Sequence, residues 1–314
     1  MKKFKVALVL GSGGARGLAH IGVIKLLEKL NLKIDCVIGT SMGAFIGGFF
    51  CKGFNANEME KIALSFDKIS TLKILSPSFS RFGIIDTEKI KRFLNQFIEN
   101  VNIEDLPIPF FAITTDLVTG KEVVLNKGNL VDAIISSIAV PVLIKPYYYK
   151  NRYFVDGGLV NPLPTSIAYS LKSELIIAVN VTIGPHRIRV TKQNSAPTFE
   201  KLRKKLQSEL SSWRIRNFIP ENLMSSILQE NPAKKEPEFP KTIQTLLQSL
   251  SIMENRLINL YLQFYPPDIL ITPKIKSFTM LEFYRAEEII EAGYKSAVSK
   301  ASEIKRLYKQ VFLS

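Results

Sequence analysis

The sequence predicts an α/β protein of three layers, with helices on both faces of a mostly parallel central sheet. Through the first 185 residues, short apolar runs rich in β-branched residues alternate with longer segments of helical periodicity, which is the pattern of βαβ units. The chain has 314 residues, of which 46% are hydrophobic. This composition supplies enough apolar material for one large core and excludes a disordered or collagen-like chain.

The predicted strands are short, and helices begin soon after several of them. The strands are expected at residues 6–10, 34–39, 108–114, 123–125, 153–156 and 174–181. The helices are expected to begin near Gly17, Met42, Asn57, Asp86, Asn129 and Pro164. A turn at Thr119 and Gly120 predicts a hairpin between Thr114 and Leu125, so the sheet is expected to be mixed.

The first residues of the chain resemble the start of a signal peptide, because lysines precede a short apolar run. We interpret this run as the first strand, since cleavage near Ala15 would remove a glycine-rich loop. No apolar run reaches the roughly 20 residues that a membrane-spanning helix requires, and the longest, from Cys36 to Cys51, is interrupted by glycines. The two cysteines lack metal-ligand spacing, which favours a reducing, cytoplasmic location.

The composition changes between His186 and about Pro240, where basic residues and prolines crowd together and strand signals disappear. We interpret residues 186–240 as a basic insertion or lid within a single domain. The core of that domain is expected to comprise residues 1–185 and 241–314. The chain therefore returns to the main fold after the insertion.

The returning segment begins with a long helix, in which apolar residues follow a spacing of three and four. This stripe is expected to pack in the core, and a coiled-coil partner surface is the alternative. Its members are Ile243, Leu246, Leu250, Met253, Leu257, Leu260 and Phe264. A last strand is expected at residues 268–272. A further helix is expected to begin at a capping box from Thr279 to Glu282.

A formal net charge of +14 predicts a polyanionic partner, either nucleic acid or an anionic membrane surface. No nucleic-acid partner is expected, because no helix-turn-helix, zinc or RNA-recognition motif accompanies the charge. In the insertion, apolar residues and Trp213 fall on one helical face with basic flanks. We interpret the segment from Phe199 to Arg216 as an interfacial helix, or otherwise as a solvated helix packed on the domain. Nothing in the sequence indicates the oligomeric state.

A nucleophile elbow is predicted at residues 39–43, which read Gly-Thr-Ser-Met-Gly between an apolar strand and an apolar helix. Such a turn exposes Ser41 on a strained backbone, and Gly39 and Gly43 allow neighbouring chains to pass close to it. The start of the following helix would direct free N–H groups at a developing oxyanion. The alternative is a tight glycine turn with an ordinary helix-capping serine.

A second glycine-rich loop, residues 11–17, also lies between a strand and a helix, so its amides can line an anion pocket. It does not match a dinucleotide site, because Arg16 replaces the last glycine and no acidic residue ends the second strand. It also lacks the Gly-Lys-Ser/Thr end of a P-loop. We interpret it as an oxyanion hole, in which the amides of Gly13 and Gly14 approach Ser41.

A carboxylate is expected near the same site, because Asp156 ends a predicted strand and is followed by Gly157 and Gly158. The chain has two histidines, so a Ser-His-Asp triad has few candidates. His20 is expected to pack in a helix or to support the glycine loop. His186 leaves a Ser41–Asp156–His186 triad open as an alternative to a dyad in which Asp156 itself accepts the serine proton.

Together these residues resemble the patatin-like phospholipases, and most closely the bacterial branch related to the catalytic domain of neuropathy target esterase. The resemblance covers Val6 to Val181, including the segments of residues 116–120 and 136–141. It implies a modified α/β-hydrolase-like fold and a Ser-Asp dyad with Ser41 as the nucleophile and Asp156 as the base. It also implies hydrolysis of carboxyl esters of phospholipids or lysophospholipids, with no metal or organic cofactor.

The resemblance also assigns supporting roles around the dyad. The oxyanion hole is expected to comprise the amides of Gly13, Gly14 and Met42. The supporting motif residues are Gly11, Ala15, Arg16, Gly17, Gly39, Gly43, Gly157 and Gly158. Arg16 is expected to brace the loop or otherwise to contact an anionic head group. The expected location is cytoplasmic, with peripheral attachment to the inner face of the membrane, and the alternative function is a catalytically silent acyl-lipid binding module.

The sequence departs from the family pattern in two places. The glycine loop begins Gly11-Ser12 where the family is fully glycine, and this is expected to be harmless because the donors are backbone groups. The chain reads Val-Pro-Val-Leu at residues 140–143, where the family often carries Ile-Pro-Gly-Phe. This second departure is expected to reshape the acyl pocket.

Overall fold

A computed structural model describes residues 4–65, 85, 87–182 and 242–313. In this part of the chain the strands are β1 (Val6–Leu10), β2 (Cys36–Thr40), β3 (Phe110–Asp116), β4 (Glu122–Leu125), β5 (Tyr147–Tyr149), β6 (Arg152–Asp156), β7 (Leu175–Val179) and β8 (Ile269–Ile271). They form one sheet in the order β5-β6-β3-β2-β1-β7-β8, with β4 paired to β3. The ladders of β1, β2, β3, β7 and β8 with one another are parallel.

The described helices follow the strands in the order expected of βαβ units. They are α1 (Ala19–Lys29), α2 (Met42–Lys52), α3 (Ala56–Leu64), α4 (Thr87–Ile98), α5 (Leu130–Ser137), α6 (Thr165–Ser170), α7 (Thr242–Phe264), α8 (Ala286–Val298) and α9 (Ala301–Leu313). Short 3₁₀ turns occur at Gly14–Leu18, Ile103–Asp105, Gly157–Leu159 and Phe283–Arg285.

The sheet is covered on both faces, which confirms the predicted three-layer α/β architecture. Because side chains alternate along a strand, Val6, Leu8 and Leu10 of β1 enter a large core that also contains buried residues of α1, α2, α5 and α8. Ala7 and Val9 enter a second core on the other face, with residues of α6 and α7. All five residues of β1 are fully buried, as expected for a central parallel strand.

The strand that carries Asp156 runs against its neighbour, which the sequence did not indicate. β6 pairs antiparallel with β3, and Asp156 lies opposite Thr114. On the other side of β3, Thr40 of β2 lies opposite Ile113. The last residue of β6 therefore lies at the same height in the sheet as the last residue of β2, and this brings Asp156 close to Ser41. The two strands run in opposite directions, so they do not end at the same edge of the sheet. β5, the edge strand beyond β6, is also absent from the predicted strands.

The predicted packing of α7 is wrong, although the helix itself is present. Among the residues of the predicted apolar stripe, Met253, Leu260 and Phe264 are 56%, 51% and 68% exposed. The buried face instead contains Leu247, Ser251, Glu254 and Ile258. Hydrophobic periodicity failed here because the face toward the sheet includes two polar residues.

The predicted capping box places the next helix too early. The backbone N–H of Thr279 does donate to Glu282 Oε2 at 2.7 Å, as in one half of such a box. Helical structure nevertheless begins only with the 3₁₀ turn at Phe283–Arg285. The backbone before it is used elsewhere, because the Met280 carbonyl accepts a hydrogen bond from Ala15 N–H.

Residues 186–240, which contain His186 and the predicted interfacial helix, lie outside the described residues. The proposed division of the domain into a core and an insertion therefore stays a prediction. Among the helices that are described, none combines the length and apolar character needed to cross a bilayer.

The exposure pattern of α7 predicts a contrast between two neighbouring alanine substitutions. Ile258 is 1% exposed and Leu260 is 51% exposed. We expect Ile258→Ala to lower the free energy of unfolding by about 2–4 kcal/mol, because it leaves a cavity against the sheet. We expect Leu260→Ala to change it by less than about 0.5 kcal/mol. Urea unfolding of both variants tests this prediction. Equal losses in the free energy of unfolding would show that Leu260, and with it the predicted stripe, packs in the core.

Candidate active site

Ser41 lies in a sharp turn between the end of β2 and the start of α2. Its backbone has φ 55° and ψ −120°, and such a conformation costs a non-glycine residue of order 1–3 kcal/mol. A Cβ on Gly39 would lie 2.5 Å from the Gly43 carbonyl oxygen, and a Cβ on Gly43 would overlap the carbonyl oxygen of Leu10. The two glycines therefore stand where the close approach of neighbouring chains requires them.

Ser137 holds this strained turn in place, and the sequence analysis did not single it out. The backbone N–H of Ser41 donates to Ser137 Oγ at 2.9 Å. Ser137 Oγ in turn donates to the carbonyl oxygen of Ile113 on β3 at 2.5 Å. Only the position of Ser137 within a segment that resembles the family, residues 136–141, gave a signal for it.

The Ser41 hydroxyl donates a 2.6 Å hydrogen bond to Asp156 Oδ2. The other carboxylate oxygen, Oδ1, accepts a hydrogen bond from Gly158 N–H at 2.6 Å. Asp156 is 4% exposed, and burial raises its pKa to about 6 against the opposing influence of these two hydrogen bonds. Asp156 is therefore mostly ionised at neutral pH and is a stronger base than an exposed aspartate.

Side chains hold the carbonyl groups of the glycine loop that follows β1. Thr182 Oγ1 donates to the carbonyl oxygen of Ser12 at 2.8 Å, and Arg16 Nε donates to that of Gly13 at 3.2 Å. The C=O and N–H of a trans peptide point in opposite directions. These two bonds therefore turn the N–H groups of Gly13 and Gly14 away from the held carbonyls.

The backbone N–H groups predicted to form the oxyanion hole are free to bind a ligand, as far as the described residues show. There, the backbone N–H groups of Gly13, Gly14 and Met42 have no hydrogen-bond partner. Gly14 and Met42 line the same cavity as Ser41. The arrangement can thus offer backbone donors to an anionic oxygen formed beside Ser41.

The last part of the chain closes the glycine loop from outside. Ala15 N–H donates to the Met280 carbonyl oxygen at 2.9 Å. Gly14 has φ +58°, and a Cβ on it would lie 2.6 Å from the same Met280 oxygen. Gly14 is therefore required both by its left-handed backbone and by the close approach of residue 280.

His20 and Arg16 are buried and donate hydrogen bonds to carbonyl groups of the glycine loop. His20 Nε2 donates to the carbonyl oxygen of Gly11 at 2.8 Å, and burial lowers the His20 pKa to about 4, so the ring is neutral. Arg16 is 2% exposed, and burial lowers its pKa to about 10, which leaves it charged at neutral pH. His186 lies outside the described residues, so the triad stays a prediction.

The remaining glycines of the three motifs pack against neighbouring elements. Gly11 lies against the backbone at Val179, and Gly17 lies against the side chain of Met42. Gly157 lies against the carbonyl oxygen of Ile113 on β3. The contact between Gly17 and Met42 joins the glycine loop to the turn that carries Ser41.

An apolar cavity of about 170 Å³ opens beside Ser41. Its walls come from the glycine loop, α2, α4, the segment after α5 and the segment before α8. They comprise Gly14, Leu18, Ser41, Met42, Phe45, Ile85, Ile90, Phe93, Ile138, Val140, Leu143, Ile144, Met280, Leu281 and Phe283. Such a lining suits a hydrocarbon chain that ends at the serine.

One of the two departures from the family pattern affects this cavity. Val140 and Leu143 line it, whereas Val142 between them is 39% exposed. Val142 has φ 73°, a left-handed conformation that is unfavourable for a β-branched residue. The resemblance noted in the sequence leads us to expect glycine at this position, and the valine that stands here adds strain to the turn.

A sequence model of the family described as Patatin-like phospholipase matches residues 8–169. The chain belongs to the patatin-like phospholipase family. An NTE family protein of Mycobacterium tuberculosis is 33% identical over 321 residues, which cover 92% of this chain and 89% of that relative. Both comparisons confirm the resemblance drawn from the three glycine-containing motifs.

Two further proteins are similar to this chain, one in sequence and one in structure. Patatin-like phospholipase domain-containing protein 6 of Mus musculus is 32% identical over 182 residues, which cover 56% of this chain and 13% of that protein. VipD from Legionella pneumophila is similar in structure, with a TM-score of 0.45 and 12% sequence identity over 96% of this chain and 67% of that chain.

The role of Ser137 predicts a loss of stability on substitution. Ser137→Ala would leave the buried Ser41 N–H without an acceptor, and we expect a loss of about 1–3 kcal/mol in the free energy of unfolding. Ser136→Ala is the matched control, because its hydroxyl bonds only the Asp132 carbonyl within its own helix, and we expect a smaller loss. Similar urea midpoints for the two variants would contradict the assignment.

Proposed function

We propose that this protein is a serine lipid acyl hydrolase that cleaves carboxyl-ester bonds of phospholipids or lysophospholipids. Ser41 is the nucleophile and Asp156 is the base in this proposal. The observation that carries it is the 2.6 Å hydrogen bond from Ser41 Oγ to the buried Asp156 carboxylate, beside an apolar cavity. Membership of the patatin-like phospholipase family supports lipid acyl hydrolysis as the activity.

In the proposed reaction, Asp156 accepts the Ser41 proton while Ser41 Oγ attacks the ester carbonyl carbon. The carbonyl oxygen becomes an oxyanion, which the N–H groups of Gly13, Gly14 and Met42 stabilise. When the intermediate collapses, the carbon–oxygen bond to the leaving alcohol breaks and the alcohol takes the proton from Asp156. A water molecule then attacks the acyl carbon and gives a proton to Asp156. The bond from that carbon to Ser41 Oγ breaks, Ser41 takes the proton from Asp156, and the fatty acid leaves.

The environment of Asp156 supports its use as a base without a histidine. A carboxylate with an ordinary pKa is a poor acceptor for a serine proton, and general-base efficiency rises as the pKa of the base approaches the working pH. Burial raises the pKa of Asp156 to about 6. The strong hydrogen bond to Ser41 Oγ keeps the acceptor oxygen in the position where the proton must arrive.

The cavity and the charge of the chain support the proposed substrate class. An apolar wall that includes Phe45, Phe93 and Leu143 fits a fatty acyl chain. A net charge of +14 fits work at an anionic lipid surface, and no metal or cofactor enters the proposed reaction. We therefore place the proposed activity at the cytoplasmic face of a membrane, with peripheral attachment through the segment from Phe199 to Arg216.

Reaction with a fluorophosphonate probe tests the nucleophile and the base together. We expect peptide mass spectrometry to find the adduct on Ser41 and Asp156→Asn to slow labelling and ester hydrolysis by about 10²–10⁴-fold, the usual contribution of a general base. His186→Ala is the matched control, and we expect it to retain labelling. Loss of labelling with His186→Ala in a folded protein would favour the triad, whereas an unlabelled wild-type protein would favour the silent lipid-binding module.

Salt-dependent binding to vesicles tests the proposed membrane segment. We expect the full chain to sediment with vesicles that contain anionic phospholipid and to be released at high salt, because exposed charges are screened. Deletion of residues 199–216 is expected to abolish this binding while fluorophosphonate labelling in the absence of vesicles persists. Unchanged binding by the deletion variant would contradict the assignment.

A further inference from the structure

A second carboxyl group lies buried at the active site, on the helix that follows the predicted insertion. Glu254 of α7 is 8% exposed and belongs to the helix face turned toward the sheet. Ser12 Oγ donates to Glu254 Oε1 at 3.0 Å, across 242 residues of sequence. No motif in the sequence singled out Glu254, because it lies on a helix whose apolar stripe pointed to a different face.

The contact with Ser12 connects Glu254 to the oxyanion loop. The Ser12 carbonyl accepts the hydrogen bond from Thr182 Oγ1 that orients Gly13 N–H, while the Ser12 hydroxyl bonds Glu254. Glu254 therefore anchors the residue that immediately precedes the proposed oxyanion donors. Ser12 is also the position where this chain departs from the fully glycine loop of its family, and the departure supplies the hydroxyl that Glu254 binds.

Glu254 also lies close to the proposed base. A Cβ built on Gly158 would collide with Glu254 Oε1 and would lie 3.0 Å from Asp156 Oδ1. Two carboxyl groups thus flank the same glycine, and Gly158 N–H bonds only the Asp156 group. Arg16 is the other charged group that acts on Glu254, and within the described residues neither Arg16 Nη2 nor Glu254 Oε2 has a hydrogen-bond partner.

Two buried carboxyl groups so close together do not both ionise readily. Burial and the Asp156 charge raise the pKa of Glu254 to about 8, against the influence of Ser12 and Arg16. The pKa of Asp156 is about 6. Between these values Asp156 is the anion and Glu254 the neutral acid, and above them the site holds two negative charges next to the place where an oxyanion forms.

We propose that Glu254 is a positioning residue of the Ser41–Asp156 site, which acts as a neutral acid to hold the oxyanion loop through Ser12. Its ionisation at alkaline pH places a second negative charge beside Asp156 and opposes formation of the oxyanion. The inference rests on the proposed ester hydrolysis. It adds an alkaline limit to the activity, whereas Asp156 alone sets only an acidic limit.

The pH profile of hydrolysis by the full-length protein tests this role, with a short-chain p-nitrophenyl ester as the probe. We expect wild-type kcat/KM to rise through about pH 6 and to fall above about pH 8, by about tenfold per unit once Glu254 is ionised. Glu254→Gln keeps the shape and the neutral charge, so we expect activity within about threefold of wild type at pH 7 and no alkaline fall up to pH 9.5. The acidic limb should stay near pH 6 in both proteins.

Two further variants sharpen the test. Ser12→Ala removes the hydrogen bond that favours the ionised form of Glu254, so the alkaline limb should move to higher pH. Glu303→Gln on α9, where the carboxylate pairs with Lys300 at the surface, is the control and should keep the wild-type profile. Superimposable profiles for wild type and Glu254→Gln, or a folded Glu254→Gln protein that is inactive at pH 7, would overturn the proposal.

Thermal unfolding provides a readout that does not depend on activity. The folded state holds the Glu254 proton up to about pH 8, whereas the unfolded state releases it near the ordinary glutamate pKa, so this group destabilises the protein as pH rises between those values. The Tm of Glu254→Gln should therefore rise relative to wild type from pH 5 to pH 8. An unchanged difference would overturn the inference, and a wild type that neither hydrolyses nor labels would instead overturn the proposed function.

Discussion

The hydrogen bond between the Ser41 hydroxyl and the Asp156 carboxylate requires a charged group inside the protein. Much of the local structure stabilises that buried charge. A buried carboxylate is stable only when its oxygens accept hydrogen bonds. Asp156 meets this need with one bond from the serine side chain and one from the backbone of Gly158. The short β6 strand brings the group level with the end of β2, so the sheet register itself fixes the distance between the two residues.

The same logic of rigid backbone units explains the glycine loop. Each peptide plane has one donor and one acceptor on opposite sides, so a side chain that binds the carbonyl decides where the N–H points. Thr182 and Arg16 act in this way on consecutive peptides. An anion site can therefore be formed by buried side chains that never touch the anion, provided that each one presents an N–H or O–H donor to a loop carbonyl. This is why a neutral His20 suits the site as a loop support.

The sequence was most informative where chemistry and backbone geometry coincide in a few adjacent residues. Ser41, Asp156 and the glycine loop follow strand ends, and those local signals predicted both the layered fold and the group of residues that meet. Contacts between distant segments left no such signal. Met280 and Glu254 reach the loop from the last quarter of the chain, and the periodicity of α7 identified a helix but not the polar face that it buries. The direction of β6 was likewise hidden, because a strand reads the same in either orientation.

The contact between Ser12 and Glu254 has a consequence for the order of events in folding. It joins residues 242 positions apart, and Ala15 bonds Met280 across a similar separation. Contacts of such long range form late, since the loop that they close carries a large entropic cost. A chain that has already paired β1, β2 and β3 and packed α5 would hold Ser41 in its turn through Ser137 while the glycine loop still lacks two of its supports. Catalytic competence would then report on the last stage of folding, and a partly folded chain would be a protein with a nucleophile but without an ordered site for the oxyanion.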